Sequence, residues 1–336
     1  MSRGASVIRR LIQRLTARPK VFASVVMSLS FFVGGSLAIW DWQHRRLPPD
    51  SAGRLTAPIG QISCITYSRD GRQLAAGTGS GQMLVWDLAN EALLPFTQLT
   101  KQQITCLATT NDGFLLAGTM GQGLLIWQIK TRKARMAPQL PAEVTSIAVH
   151  PKRPELVLGL SNGTLYYLDT KTAKSSQIRK VHPGGVKAVA FDPKGELLVS
   201  AGADGKVIFR NGKTQKVEKT LSKHTGEVSC LGFSPNGVYL ATGDWDGTAV
   251  VWKVDDGSAL RVFSHPDDVS SLALTDSLLM TGSWDHQLRF WPLAGETMGD
   301  EFDTQSPIQA LALSPDQQTV ATVSGTDHVQ FWKVAK

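Results

Sequence analysis

Cysteine is scarce: 336 residues contain three, Cys64, Cys106 and Cys230. An odd number at wide spacing gives neither a disulfide framework nor a zinc-ligand pattern. Charged residues make up only 19% of the chain. The formal net charge of +7 belongs to the N-terminal end, where residues 1–46 hold eight Lys/Arg and a single acid, Asp41. The remainder keeps 27 of the 35 basic residues and 27 of the 28 acids, so it is neutral. Bulk charge therefore gives no argument for nucleic acid. The basic stretches also lack the interleaved aromatics on which single strands stack. Long apolar runs are missing after residue 40. What replaces them is 31 glycines and many short apolar segments between turn formers, an all-β profile.

The one long apolar run is residues 21–40, VFASVVMSLSFFVGGSLAIW, 20 residues without a charge. As a helix rising 1.5 Å per residue it would span a hydrocarbon core of roughly 30 Å. Trp40 and Trp42 fall at its end, where indoles favour the interface. Residues 1–20 carry six Lys/Arg and no acid, and Arg45 and Arg46 on the far side are partly offset by Asp41. The positive-inside bias then places the N-terminus in the cytoplasm and the rest of the chain on the periplasmic or lumenal side, a cytoplasmic folded domain being the alternative. The expected organisation is a basic segment 1–20, a signal-anchor helix 21–40, a linker 41–52 and a folded domain 53–336. Three alternatives remain open: signal-peptide cleavage near Ser36-Leu37-Ala38, an organelle transit peptide, and twin-Arg export through Arg9-Arg10, whose flanks fit poorly.

Self-similarity organises the remainder. The frame LATGDWDGTAVVW, residues 240–252, recurs with its last position at Trp86, Trp127, Leu168, Arg210, Trp252, Trp291 and Trp332. The spacings are 41, 41, 42, 42, 39 and 41 residues. Ahead of each frame lies a second apolar segment: ISCITYS (62–68), ITCLATT (104–110), VTSIAVH (144–150), VKAVAFD (186–192), VSCLGFS (228–234), VSSLALT (269–275) and IQALALS (308–314). Turn pairs such as Asp70-Gly71, Asn236-Gly237 and Pro315-Asp316 follow most of them.

Seven copies in this order resemble the WD40 repeat family, whose blades read His, strand a, turn, strand b, Asp-containing turn, and strand c ending in Trp-Asp. Trp86-Asp87 is the one literal Trp-Asp pair at a frame end. The resemblance covers residues 59–336 and implies a seven-bladed all-β propeller. Each blade has two apolar faces and buries them only by stacking on its neighbours. The chain ends four residues after Trp332, so residues 53–58 are expected to supply the last outer strand and close the ring.

By the same resemblance, His182, Ser200 and Asp204 in blade four form a buried hydrogen-bonded network. So do His224, Thr242, Asp246 and Trp252 in blade five, and His265, Thr281, Asp285 and Trp291 in blade six. Recurrence from blade to blade without a separate nucleophile favours a structural role over a Ser/His/Asp catalytic set. The cysteines sit third in strand a, where other blades have Ser146, Ala188, Ser271 and Ala310, all small, as in a tightly packed site. Neighbouring equivalents are expected to lie too far apart to bridge.

Trp245 and Trp284 precede the b–c turn aspartates of adjacent blades, a position that the family points onto the ring's upper face. With Asp244, Glu227, Asp267 and Asp268 they are expected to form an aromatic, acidic partner-binding patch. Charge also divides by sector. Residues 130–223 hold 18 Lys/Arg against seven Asp/Glu, and residues 224–336 hold five against 15. The basic stretches map to c–d turns and outer strands, where lysine ordinarily guards a sheet edge. The alternative is a rim facing anionic headgroups or an acidic partner.

The functional expectation is a membrane-tethered, non-catalytic platform that docks subunits or assembly clients of a membrane-associated complex. A soluble exported propeller with its targeting segment removed is the alternative. A small-ligand receptor or enzyme in the central channel would need convergent His or carboxylates on the inner strands. Those strands offer only scattered polar residues such as His150, Lys187 and Asp192. No catalytic residue, metal ligand, cofactor, nucleic acid or small-molecule substrate is expected.

Overall fold

Turn chemistry divides the chain into hairpins. In the a–b turn of blade five Gly237 sits at φ +73°, and its amide donates to the Ser234 carbonyl at 2.9 Å. In the b–c turn Gly247 takes φ +78°. Both are left-handed conformations that glycine adopts at little cost. In the computed structural model, residues 51–334 are described apart from 57–60, 95, 96, 99, 122, 132, 138, 173, 179, 296–298, 326 and 327. They fold as seven antiparallel sheets, each a blade. Blade five, for example, runs from inner strand a (Val228–Phe233) through b (Tyr239–Asp244) and c (Thr248–Lys253) to outer strand d (Ala259–Ser264). Blade one is irregular outside, where Ala92–Leu93 and Thr97–Gln98 both pair with strand c. The inner strands pack on one another all the way round, blade seven returning to blade one.

The outer strand of blade seven comes from the other end of the described chain. Ser51–Thr56 pairs antiparallel with His328–Lys333, Gly53 opposite Phe331 and Leu55 opposite Val329. The strand therefore starts within the expected linker, at 51, and residues 57 and 58 of the expected strand lie outside the described residues. Expectations for residues 1–50, the 21–40 helix among them, also lie outside. Among the described residues no helix is long and apolar enough to cross a membrane.

One contact recurs at the blade seams. In every strand a the register slips between the first and third residues, for instance Ile62/Cys64, Val144/Ser146 and Val228/Cys230. This bulge takes the second residue out of the ladder. In five blades its side chain turns to the next blade, where it donates to the carbonyl of that blade's first strand-a residue. Ser63 reaches Ile104 and Thr105 reaches Val144 at 2.5 Å; Thr145 reaches Val186, Ser229 reaches Val269 and Ser270 reaches Ile308 at 2.6 Å. Blade four has Lys187 instead, and its ammonium meets the Glu227 carboxylate of blade five at 2.7 Å.

Beside each of these five hydroxyl contacts, strand b carries a glycine against which the next blade presses. A Cβ on Gly243 would lie 2.6 Å from Val269 Cγ1 and 2.8 Å from Cys230 Sγ. Gly77 and Gly118 stand in the same relation to Cys64 and Ile104, and to Cys106 and Val144. This explains the small third residue of strand a: it shares its space with the neighbouring blade. The three thiols are free, and burial pushes each up to about 12, so the reactive thiolate is strongly disfavoured.

The histidine networks vary with the residue at the end of strand b. In blade four that residue is Gly202, which leaves room for Asp204 to reach back. His182 Nδ1 meets Asp204 at 2.7 Å, and its Nε2 meets the Ser200 hydroxyl at 2.9 Å. In blade five it is Asp244, fully buried, and this carboxylate, not Asp246, accepts a hydrogen bond from His224 Nδ1 at 2.6 Å. Trp252 Nε1 donates to Thr242 at 2.8 Å, and the Thr242 hydroxyl contacts His224 Nε2 at 2.6 Å. Asp246 stays exposed and accepts from Thr225 at 2.8 Å.

In blade six Asp285 also lies outside the network. Arg289 captures it at 2.6 Å, an ion pair that outcompetes a neutral imidazole, and Arg289 reaches on to Glu301 at 2.7 Å. His265 turns Nδ1 to the Gly247 carbonyl of blade five at 3.1 Å. Its Nε2 meets Thr281 at 2.8 Å, and Thr281 also accepts from Trp291 at 2.8 Å. Where the threonine is missing the indole suffers. Blade two has Ala117 in that place, and the buried Trp127 Nε1 has no hydrogen-bond partner.

Two outcomes follow. Gly243→Val should overpack the seam between blades five and six and cost about 1–3 kcal/mol, read as a lower urea midpoint. Burial, and then the Arg289 charge, depress His265 from 6.5 to about 4. A histidine that resists protonation when folded gives stability that is complete above its unfolded pKa. That stability is lost as pH falls from about 6.5 through about 4. The melting temperature of the protein minus that of His265→Gln should therefore shrink across this window; a constant difference would contradict the assignment.

Candidate functional site

Seven equivalent positions ring one mouth of the propeller, each just before the b–c turn, and six of them are tied to the start of their own inner strand. The Trp245 amide donates to the Glu227 carbonyl at 3.1 Å, Trp284 to Asp268 at 3.0 Å, and Met120 to Gln103 at 3.1 Å. The other blades place Gly79, Ser161, Ala203 and Gly325 here. This backbone tether holds whatever side chain is present at the rim of the channel. The three large apolar ones stay exposed: Trp245 at 47%, Trp284 at 51% and Met120 at 46%.

The two indoles bracket an acidic loop. Residues 265–268 lie against the b–c turn of blade five, where the His265 amide donates to the Gly247 carbonyl at 2.7 Å. The end of the same loop, Asp268, holds the Trp284 amide. Asp267 is exposed and Asp268 half-buried. Burial raises the Asp268 carboxyl above its ordinary value, and the charges of Asp267, Asp246 and Asp244 raise it further. The negative charge here is crowded and, among the described residues, no cation is ion-paired to Asp246, Asp267 or Asp268.

Two residues expected in the patch do other work. Asp244 is fully buried on His224, as its place on the inner end of strand b requires, and presents nothing to a partner. Glu227 is paired with Lys187. The same ammonium lies 4.6 Å from the Trp245 ring centroid, so a cation–π contact from blade four steadies that indole. The surface patch is thus Trp245, Trp284, Asp267 and Asp268, with Asp246 in place of Asp244. Lys187 carries a sequence signal, because it breaks the Ser/Thr pattern at the second residue of strand a, as Gln309 does in blade seven.

The polar residues near the channel are occupied in turns. Asp192 accepts the Leu197 amide at 2.7 Å, and His150 Nδ1 accepts the Lys152 and Arg153 amides at 3.0 and 2.9 Å. Among the described residues no group of three His, Cys, Asp or Glu is placed to hold a metal ion.

Comparison with known proteins agrees with this architecture. Residues 52–87, 174–211, 215–253 and 257–292 match the family model described as WD domain, G-beta repeat. A 90-residue stretch is 32% identical to the periodic tryptophan protein 2 homolog of Neurospora crassa, covering 26% of this chain and 10% of that protein. The pre-rRNA-processing protein IPI3 of Mycosarcoma maydis is 30% identical over 142 residues, 41% of this chain and 23% of that one. Autophagy-related protein 18 of Schizosaccharomyces pombe is 29% identical over 106 residues, 30% of this chain and 28% of that one. The chain thus spans roughly a tenth to a quarter of these relatives' length. A chain in the crystal structure of a mitotic checkpoint complex superposes with a TM-score of 0.78 over 87% of this chain and 94% of that one. Their 20% identity makes that a likeness of fold. The described residues thus form a seven-bladed β-propeller, and four of its repeats match the WD domain, G-beta repeat model.

Proposed function

We propose that the propeller is a non-catalytic docking platform whose main partner site is the rim of blades five and six. The observation that carries this reading is the pair of exposed indoles held at equivalent backbone positions with an acidic loop between them. Exposed tryptophan is costly on a surface with no use for it, and tryptophan is enriched where interfaces concentrate their binding energy. The crowded carboxylates select a cationic segment, and an arginine can both pair with Asp267 and stack on an indole. A platform of this kind needs a rigid rim rather than reacting groups.

The platform is further proposed to be tethered by residues 21–40, with the N-terminus cytoplasmic and the propeller on the extracytoplasmic side. The support is the uncharged 20-residue run and the cationic residues preceding it. A partner would then be another component of a complex at that membrane. The competing arrangement is an exported propeller freed by cleavage near Ala38.

Trp245→Ala combined with Trp284→Ala should weaken capture of the native partner roughly tenfold or more while the melting temperature holds. Equal capture by the variant would remove the site. In sealed vesicles with the cytoplasmic face outward, a C-terminal tag should resist protease until detergent is added. The intact chain should also sediment with the membrane; digestion before detergent reverses the topology, and a shortened soluble chain supports the cleaved form.

A further inference from the structure

The tryptophans that close strand c seal the seams of the ring. Trp291 of blade six packs on Phe263 of blade five with ring centroids 4.7 Å apart, and Trp332 of blade seven on Phe302 of blade six at 5.1 Å. Trp86, Trp127 and Trp252 likewise belong to clusters shared with the preceding blade. Two blades end strand c otherwise, in Leu168 and Arg210. Cavities open at these two seams. One of about 320 Å³ lies between blades two and three, and one of about 370 Å³ between blades three and four.

The two differ in character. The second is edged by Lys174, Ser175, Ser176 and Gln215, and Arg210 donates to the Gln215 carbonyl at 3.0 Å. The first has an apolar floor of Phe114, Leu116, Ile126 and Leu156. Leu156 pairs in register with Leu168, as Leu279 pairs with Trp291. The cavity therefore borders the place an indole occupies in five other seams, where Leu168 packs against Leu116, Ile126 and Leu156.

Its mouth is cationic. Arg135 of outer strand Lys133–Met136, Lys152 of the a–b turn and Lys171 of the c–d turn converge on it from both blades. Among the described residues none of the three is ion-paired. Two acids also line it: Glu155 lies 3.2 Å from Arg153, and Asp112 accepts from Thr110 at 2.5 Å and keeps its charge, so the four cations Arg135, Lys152, Arg153 and Lys171 still outnumber the acids by two. The opening belongs to the basic sector of the ring, and it borders the a–b and c–d turns, the opposite end of the strands from Trp245 and Trp284.

We propose that this cavity is a second docking site, which receives one bulky aromatic side chain from an acidic segment of a partner protein. The aromatic ring completes the seam as the missing indole would. Flanking carboxylates pair with Arg135, Lys152 and Lys171, which fixes the direction of the segment and raises the encounter rate. This site stands independently of the one on blades five and six.

The probe is a fluorescent acidic peptide with one central tryptophan, titrated against the full chain by polarisation. Replacing that tryptophan with alanine, or reversing Lys152 and Lys171 with Lys152→Glu and Lys171→Glu, should each weaken binding roughly tenfold or more. Leu168→Trp should fill the cavity, raise the melting temperature and abolish binding; the unpartnered Trp127 N–H shows that a seam tolerates an indole without its acceptor. Trp245→Ala with Trp284→Ala should bind the peptide as the parent does, so this proposal and that of the rim fail separately. Equal binding of the alanine peptide would reduce the site to bulk charge and overturn the proposal. So would charge-reversal-sensitive binding to phosphatidylserine vesicles with no binding of the tryptophan peptide, which would make the occupant a lipid surface.

Discussion

The packing of one inner strand on the next is the contact on which everything else rests. A bulge turns the second residue of strand a outward from its own sheet, and its hydroxyl bonds to the neighbouring backbone at 2.5–2.6 Å in five blades. The glycine beside it removes the Cβ that would hold the blades apart. A buried carbonyl in an apolar seam needs a donor, and a short side chain anchored to a bulge supplies one without widening the gap. Rim, channel and outer cavities are all positioned by the repetition of that single contact.

The repetition was readable from the sequence, and so was most of the fold. A frame recurring about every 41 residues gives the blade count, because each copy is one sheet that cannot bury its faces alone. The exposed tryptophans were readable for the same reason, as departures from an aligned column that otherwise holds Gly, Ser, Ala or Met. The seam hydroxyls had a signal too, five Ser/Thr in one column. Their purpose became visible only with the bulge, which no residue pattern announces.

What the sequence concealed was competition among near neighbours. Asp244 and Asp246 are two residues apart, and which one reaches His224 depends on a backbone geometry that brings the end of strand b under the imidazole. Asp285 was lost to Arg289, a partner four positions away that the family pattern does not include. Leu168 and Arg210 read as weak matches to a motif. In three dimensions they are absences of volume at two seams, and the space they leave acquires its chemistry from turns on both neighbouring blades.

The strand Ser51–Thr56 has a consequence for how the molecule is made. It leaves the ribosome ahead of every blade, yet its hydrogen-bonding partner His328–Lys333 emerges after all the other described strands. At typical rates of synthesis that partner arrives tens of seconds later. Throughout that interval this strand has an unsatisfied edge and blade one has an unpacked flank. Completion of the circle is thus a late event in biogenesis, and a nascent chain carries an adhesive strand that must be kept from the wrong mate until its own arrives.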